Sequence, residues 1–461
     1  MVHTNMRAIG RVAVLALALG GCASLPDVDP WLSYGGAPVS DPTKIPRPLT
    51  GAQTEAVLAK IVRKGDDSDL LARQAALEEA VAGTPLVAGN DVTLLYDGPA
   101  TYQAMFEAIE RANDHINLEF YTIDDEGDTG RRLAELLLRK RAQGIAVNVI
   151  YDSVGSMSTP KEYFKRLRDG GINAVEFNPV NPLTAATGFR LNHRDHRKLT
   201  IVDGSVAFTG GINISGVYSS GSSASDPRPD RKEGWRDTNI RIAGPVVADL
   251  QREFLENLKK YCKEPIQERN WFPNLEPKGK HPARVVASSP DDAVPAIFVT
   301  LVSAIRNATR SVYLTMAYFA PDPQTLDALK GAAARGVDVK LILPSYTDFW
   351  GILYAGRSHY SDLLQAGIQI YERQERLLHA KTVVIDGIWA TVGSSNVDWR
   401  SFLHNEELNV VVLGSDFGQQ MEASFRRDLG NSKRITPDEW ASRPIGSRIK
   451  EAAARVWEYW L

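Results

Sequence analysis

The sequence predicts an α/β protein built from two similar units. One strand–helix alternation, one hairpin motif and one small polar corner each occur twice along the chain. Strands that alternate with helices favour parallel pairing with helices covering the sheet. We therefore expect two pseudo-symmetric repeats, each a mixed or parallel sheet flanked by helices, with the functional site between them.

Length and composition agree with two globular units. The chain has 461 residues, 43% of them hydrophobic and 24% charged, which is enough for two sizeable cores. The formal net charge is -3, so no basic excess indicates a nucleic-acid partner.

The N-terminal residues are predicted to be a targeting segment. Arg7 and Arg11 precede an apolar run over residues 12–19, which is too short to span a bilayer, and small residues lead to Cys22. This order resembles a bacterial lipoprotein signal, in which Cys22 is lipidated after cleavage; the alternative is a plain signal peptide. We expect a signal peptide at 1–21 and a proline-rich, lipid-anchored tether at 22–52.

The remaining chain divides by composition and by the repeated pattern. We expect a helical N-terminal segment at 53–90, repeat 1 at 91–262, a linker at 263–284, repeat 2 at 285–435 and a C-terminal helical segment at 436–461. Repeat 1 is predicted to contain strands at 92–96, 116–121 and 147–151 and helices at 102–113 and 130–143; repeat 2, strands at 312–316 and 339–343 and helices at 296–308 and 325–335.

Each repeat contains a hairpin of the form His-x-Lys, four residues, Asp-Gly. The intervening residues are β-branched or apolar, so His and Lys, two apart on a strand, project from the same face. Asp-Gly favours a two-residue hairpin turn, which explains both aspartates structurally, and a direct chemical role is the alternative. The candidate catalytic residues are His196, Lys198, Asp203, His379, Lys381 and Asp386.

A small polar corner and a later carboxylate follow each hairpin. The corners end in Asn213 and Asn396, whose amides are candidate substrate-binding donors, and their small residues are expected to let the backbone approach a ligand. Asp237 and Glu407 come later and are placed to hydrogen-bond the histidines and fix their tautomers. Two complete copies make a chance origin of the pattern improbable.

The duplicated motif resembles the signature of the phospholipase D superfamily over about residues 91–429. The segments 192–198 and 392–402 are similar to the bacterial cardiolipin synthase group, although this chain has a lipoprotein signal instead of N-terminal transmembrane helices and carries an insert rich in Ser and Gly from Ser219. The resemblance implies a phosphohistidine mechanism with His196 as nucleophile and His379 as acid and base. It implies no cofactor, and the sequence shows no cluster with metal-ligand spacing.

Three functions follow from the resemblance. The first is phosphatidyl transfer between phospholipids, with a phosphatidylglycerol-like substrate. The second is hydrolysis of a lipid or nucleic acid by a phospholipase D-type phosphodiesterase, and the third is an inactive lipid-binding lipoprotein. The filled motifs in both copies disfavour the third.

We expect a location in the bacterial cell envelope, on the periplasmic face and held by lipidated Cys22, with the outer membrane favoured over the inner. Nucleic acid is not an expected partner, and the sequence does not predict an oligomeric state.

The C-terminal segment has an amphipathic pattern with two interpretations. Apolar residues from Ile449 to Leu461 follow one helical face, and Trp457 and Trp460 favour a bilayer interface. The helix could dock this face on the catalytic core, which we expect, or could contact a membrane.

Overall fold

The computed structural model describes residues 24–28, 68–125, 127–180, 190, 192–221, 234–262 and 264–460. The predicted signal peptide, Cys22, most of the tether and most of the insert after Ser219 lie outside these ranges. Within the described part, no helix combines the length and hydropathy that a membrane crossing requires.

The described residues form thirteen α-helices and eighteen strands. The helices are α1 Ser68–Ala82, α2 Asp97–Glu110, α3 Asp128–Ala142, α4 Lys161–Asp169, α5 Val247–Tyr261, α6 Ala296–Asn307, α7 Pro323–Ala334, α8 Trp350–Ser358, α9 Tyr360–Gln365, α10 Trp399–Leu403, α11 Ser415–Gly430, α12 Pro437–Ala441 and α13 Ile445–Val456. The strands are β1 Val87–Tyr96, β2 His115–Phe120, β3 Ala146–Asp152, β4 Asn173–Phe177, β5 Arg194–Asp195, β6 Lys198–Val202, β7 Val206–Gly210, β8 Thr238–Ala243, β9 His281–Ser288, β10 Ser311–Met316, β11 Phe319–Ala320, β12 Asp338–Pro344, β13 Gln369–Arg373, β14 Lys381–Ile385, β15 Trp389–Gly393, β16 Val397–Asp398, β17 Asn405–Leu413 and β18 Ser432–Ile435.

The two halves have the same strand order, which confirms the predicted fold class. In the first half, β2, β3 and β4 are parallel, and the hairpin β6–β7 joins them antiparallel through β2. In the second half, β10, β12 and β13 are parallel, and the hairpin β14–β15 joins through β10. The prediction of parallel pairing therefore holds for the strands that alternate with helices, whereas the motif hairpins are antiparallel.

The two half-sheets meet edge to edge in one continuous sheet. The central order is β15-β17-β9-β1-β8-β7, so the first strand of each half, β1 or β9, lies at the junction. β17 pairs with β9, β9 with β1, and β1 with β8. Because β8 and β17 follow the two hairpins in sequence, this junction brings the ends of both halves together.

Apolar cores lie on both faces of this sheet. One cluster belongs to the first half and includes the buried faces of α2 and α3, and another belongs to the second half and includes α6 and α7. A third cluster spans the junction and contains Phe254 of α5 and Phe417 of α11, both fully buried. Burial of this shared core fixes the two hairpins relative to each other.

Candidate active site

The two hairpins present their histidine and lysine in matching positions. Lys198 is the first residue of β6 and pairs with Phe120 of β2, and Lys381 is the first residue of β14 and pairs with Met316 of β10. His196 and His379 lie two residues earlier in each case. All four motif side chains are buried, so a reacting group here would be shielded from bulk water.

Each histidine pairs with a carboxylate from the other half. His196 Nδ1 lies 2.9 Å and 3.1 Å from the two carboxylate oxygens of Glu407, and His379 Nδ1 lies 2.7 Å from Asp237 Oδ2. Since an ionised carboxylate only accepts hydrogen bonds, the proton of each neutral ring lies on Nδ1. The Nε2 lone pair of each histidine is then the one left to act on a ligand.

Backbone hydrogen bonds also join each histidine to the other half. The amide of His196 donates to the carbonyl of Glu406 over 2.9 Å, and the amide of His379 donates to the carbonyl of Arg236 over 2.7 Å. In both cases the acceptor is the residue just before the paired carboxylate. The site therefore depends on contacts between the halves and is incomplete in either half alone.

Burial perturbs the titration of the basic groups. Burial lowers the pKa of His196 to about 4, against the opposing effect of Glu407, so its ring is neutral near neutral pH. The pKa of His379 is also lowered, mainly by burial and by Lys381. Burial lowers the pKa of Lys198 to about 7 and that of Lys381 to about 8.

The carboxylates balance the charge of the lysines. Burial alone would raise the pKa of Glu407, but His196 and Lys198 outweigh it and hold the pKa at about 2. Below about pH 7, where both lysines carry their protons and both imidazoles are neutral, two ammonium groups and two carboxylates give the site no net charge. Binding of an anion would then favour protonation of one imidazole.

The two predicted asparagines lie on the corners that follow the hairpin strands β7 and β15. Asn213 Oδ1 accepts a hydrogen bond from the amide of Thr122 over 3.1 Å, which orients its amide group. Asn396 is buried, and its Oδ1 has no hydrogen-bond partner among the described residues. Both remain candidates for contact with a ligand.

A glycine in the first corner serves a different purpose from the one expected. A Cβ on Gly211 would lie 2.1 Å from Asp237 Oδ1, so the missing side chain makes room for the carboxylate that orients His379. The expectation that this corner is open toward a ligand is wrong at this position, because a side chain of the protein fills the space.

The structure does not bring Asp203 and Asp386 into the histidine site. They lie at the far ends of β6 and β14, so Asp203 is about 16 Å from Lys198 along the strand. The Asp203 carboxylate accepts hydrogen bonds from three successive backbone amides, those of residues 113, 114 and 115, at 2.9, 2.8 and 3.0 Å. Asp386 contacts the amides of residues 309, 310 and 311 in the same way, at 2.9, 2.7 and 2.8 Å. This geometry supports the structural interpretation of both aspartates.

The hairpin turns are one residue longer than predicted. Asp203 and Gly204 have φ values of 52° and 59°, as the predicted turn requires, and the amide of Ser205 donates to Val202 over 3.0 Å. However, Val202 pairs with Val206, so the connection has three residues, and Ser205 forms the extra position. The second hairpin has the same geometry at residues 386–388.

Several side chains complete the site without having been assigned a role from the sequence. Ser394 Oγ and Asn405 Nδ2 donate to the carboxylate of Glu407 over 2.5 Å and 3.1 Å. The Tyr218 hydroxyl lies 3.1 Å from His379 Nδ1. Ser394 lies inside the motif segment 392–402 and Asn405 shortly after it, but only the fold shows that they face the carboxylate.

Two further histidines, His193 and His404, occur in or shortly after the motif segments. His193 is buried and its Nε2 lies 2.9 Å from Glu406 Oε1, a further contact between the halves. Burial lowers the pKa of His404 to about 4, and its ring lies 6.4 Å from that of Tyr459. Cys22 lies outside the described residues.

Comparison with known proteins identifies the family. A family profile described as "Cardiolipin synthase, PLD-like domain" matches residues 105–220 and 301–429, one segment in each half. The chain is 35% identical over 378 residues to a cardiolipin synthase of Listeria monocytogenes serotype 4b, covering 81% of this chain and 76% of that protein. It is 34% identical over 372 residues to the major cardiolipin synthase ClsA of Bacillus subtilis, covering 80% and 74%.

A solved structure shows the same fold. The phosphatidylserine synthase of Haemophilus influenzae Rd KW20 superposes with a TM-score of 0.63 at 12% identity, covering 83% of this chain and 99% of that one. The two profile matches coincide with the two halves of the sheet that supply the paired hairpins. The chain therefore belongs to the cardiolipin synthase family and is a phosphatidyltransferase of the phospholipase D type.

Proposed function

We propose that the enzyme transfers a phosphatidyl group from one phosphatidylglycerol to a hydroxyl of a second, releasing glycerol and forming cardiolipin. The observation that carries this proposal is the crossed pairing of each histidine with a carboxylate of the other half. Because this pairing occupies Nδ1 of each histidine, the Nε2 atom of each imidazole remains to react with a substrate, and Lys198 and Lys381 belong to the same site. The names of the relatives supply the choice of lipid.

In the first step, His196 is the nucleophile. Its Nε2 forms a bond to phosphorus, the bond from phosphorus to the glycerol oxygen breaks, and His379 gives its Nε2 proton to that oxygen. Lys198 and Lys381 neutralise the nonbridging oxygens, and Asn213 and Asn396 donate hydrogen bonds to them. The assignment of His196 rather than His379 rests on the family resemblance.

In the second step, the acceptor resolves the intermediate. His379 Nε2 takes the proton of the incoming hydroxyl, whose oxygen attacks phosphorus while the bond to His196 breaks. Glu407 and Asp237 hold the Nδ1 protons throughout and stabilise the positive charge that develops on each ring.

The charges of the site and of the substrate explain how one imidazole becomes protonated and can act as an acid. The free site has no net charge when both lysines are protonated and both imidazoles are neutral, and a phosphodiester adds one negative charge. Protonation of one imidazole restores the balance. Substrate binding thus raises the pKa of the histidine that must act as an acid, although burial lowers it in the free protein.

Product analysis tests this proposal. Purified enzyme is incubated with vesicles of phosphatidylglycerol labelled in the acyl chains, and the lipids are resolved. We expect labelled cardiolipin with an equimolar amount of glycerol, and no product with His196→Ala. Phosphatidic acid as the sole product would identify water as the acceptor and would replace transfer by hydrolysis.

We also propose that Cys22 carries the lipid anchor and that the enzyme lies on the periplasmic face of the cell envelope. The apolar run and small residues before Cys22 support this. Ala23 and Ser24 follow the cysteine, and neither is the Asp that often retains lipoproteins in the inner membrane, which favours the outer membrane where the host has two.

A further inference from the structure

The C-terminal helix α13 turns its apolar side outward. Ile445, Ile449 and Val456 are 74%, 64% and 76% exposed, and Trp457, at the end of the helix, is 53% exposed. Their spacing places them on one helical stripe. The expectation that this stripe docks on the catalytic core is therefore wrong.

The opposite side of the helix is the one that docks, and it is polar or small. Ala454 is buried in a small cluster with Ile352 of α8. Glu451 is buried and paired with Arg443 at 2.8 Å, and Glu458, just after the helix, lies 2.8 Å from His359 Nε2. Because the Ala454 packing and the contact between Glu458 and His359 hold the helix against α8, its outward apolar side is a fixed feature of the fold.

Two further exposed aromatic residues adjoin this side. Phe349 and Trp350, at the start of α8, are 45% and 62% exposed. The ring of Trp350 lies 6.3 Å from that of Tyr354, and Lys450 Nζ of α13 lies over the same Tyr354 ring at 5.2 Å. The C-terminal apolar face is defined by these exposed residues together: Phe349, Trp350, Ile445, Ile449, Ala452, Ala453, Val456 and Trp457.

This face is close to the proposed active site. Asp348, the residue before Phe349, accepts a hydrogen bond from the Tyr318 hydroxyl over 2.6 Å. The Tyr318 ring in turn lies 6.2 Å from the His379 ring at an angle of 90°. A surface that the face contacts would therefore lie near the second histidine.

The charges on the helix specify what the face contacts. Its exposed charged residues are Arg448, Lys450 and Arg455, all positive, whereas Glu451 is buried in an ion pair with Arg443 and Glu458 is buried beside His359. On an ideal helix, Lys450 lies on one side of the apolar stripe and Arg448 and Arg455 lie on the other. An apolar stripe with Trp and flanking cations suits an anionic bilayer surface.

We propose that the C-terminal apolar face is a membrane-contact surface that seats the enzyme on an anionic phospholipid bilayer. This rests on the proposed function in one respect, the lipid nature of the substrate. The helix would lie in the plane of the interface, with its apolar stripe among the headgroups and its cations on the lipid phosphates. The neighbouring site would then receive substrate lipid directly from the bilayer.

Vesicle binding tests the surface separately from the chemistry. The parent is the full chain with Cys22→Ser, which removes the proposed acyl anchor. The test variant adds Trp350→Ala, Ile449→Ala and Trp457→Ala, all at exposed positions. The control adds Phe272→Ala, an exposed aromatic residue beside Trp271, which packs on His115 at the opposite end of the strands.

We expect the test variant to bind phosphatidylglycerol vesicles about 10-fold or more weakly than the parent, and the control to bind as the parent does. Binding of the parent should weaken with salt and on phosphatidylcholine vesicles. Turnover of a short-chain phosphatidylglycerol below its micellar concentration should be unchanged, as should thermal stability.

Several outcomes overturn the proposal. Unchanged vesicle binding would exclude the surface, and a drop in thermal stability or a loss of self-association in the test variant would show that the face is covered by protein. His196→Ala in the parent background should bind vesicles normally. If neither the parent nor any variant shows transfer, but the test variant still binds vesicles more weakly than the parent, the proposed function fails and the membrane surface stands.

Discussion

Replacing Asp203 by Asn should reduce stability and leave the chemistry intact. The carboxylate accepts hydrogen bonds from three successive amides at 2.8–3.0 Å, on a residue whose φ is 52°. Asn tolerates this φ and keeps one oxygen, so it can retain the bonds to residues 114 and 115. Its NH2 group, however, would face the amide of residue 113, and loss of that bond and of the negative charge should cost about 1–3 kcal/mol.

Stability and activity are measured on the same preparation. Urea unfolding followed by tryptophan fluorescence gives the change in stability, and transfer is measured per folded molecule. We expect turnover within about two-fold of the parent, because Asp203 is about 16 Å from Lys198. Asp386→Asn is the matched control and should behave alike. A well-folded Asp203→Asn protein without activity would refute the structural role.

Three further changes address the site and the anchor. Glu407→Gln keeps the shape of the side chain but removes the charge that supports His196, so kcat should fall about 10–100-fold without loss of fold; an unchanged kcat would contradict the role of the crossed pairs. The pKa values of Lys198 and Lys381, about 7 and 8, mean that both ammonium groups lose their protons as pH rises through this range. The kcat/KM for an anionic lipid should therefore decline above about pH 7 and more steeply above about pH 8, and a constant kcat/KM up to pH 10 would argue against lysine neutralisation of the phosphate. Cys22→Ser should abolish acylation seen by mass spectrometry and shift the protein toward the soluble fraction; unchanged membrane recovery would mean that other contacts suffice.

Local pattern was sufficient to predict the elements that carry the chemistry. The strand periodicity and the Asp-Gly turn place His196 and Lys198 on one strand face, and repetition predicts the second hairpin. The helices and strands between them follow from apolar spacing of the same kind. These features depend on residues close together in sequence.

Features that depend on distant contacts could not be predicted. Glu407 and Asp237 each pair with the histidine of the other half because β1 and β9 join the two half-sheets. No local sequence pattern specifies that junction. Likewise, the apolar spacing of α13 predicts an amphipathic helix but does not determine which side docks. The packing of Ala454 against Ile352 and the contact of Glu458 with His359 determine that side, and both partners lie about a hundred residues earlier in the chain.

The most direct test of the account is to trap the covalent intermediate. With a phosphatidyl ester of p-nitrophenol, the leaving group needs no acid, so His379→Ala should still form the bond to His196 but should fail to activate the acceptor. We expect one equivalent of nitrophenolate in a burst and a phosphatidyl adduct on the peptide containing His196, found by mass spectrometry. His196→Ala should give neither. An adduct on His379, or turnover by His196→Ala, would contradict the proposed two-histidine mechanism.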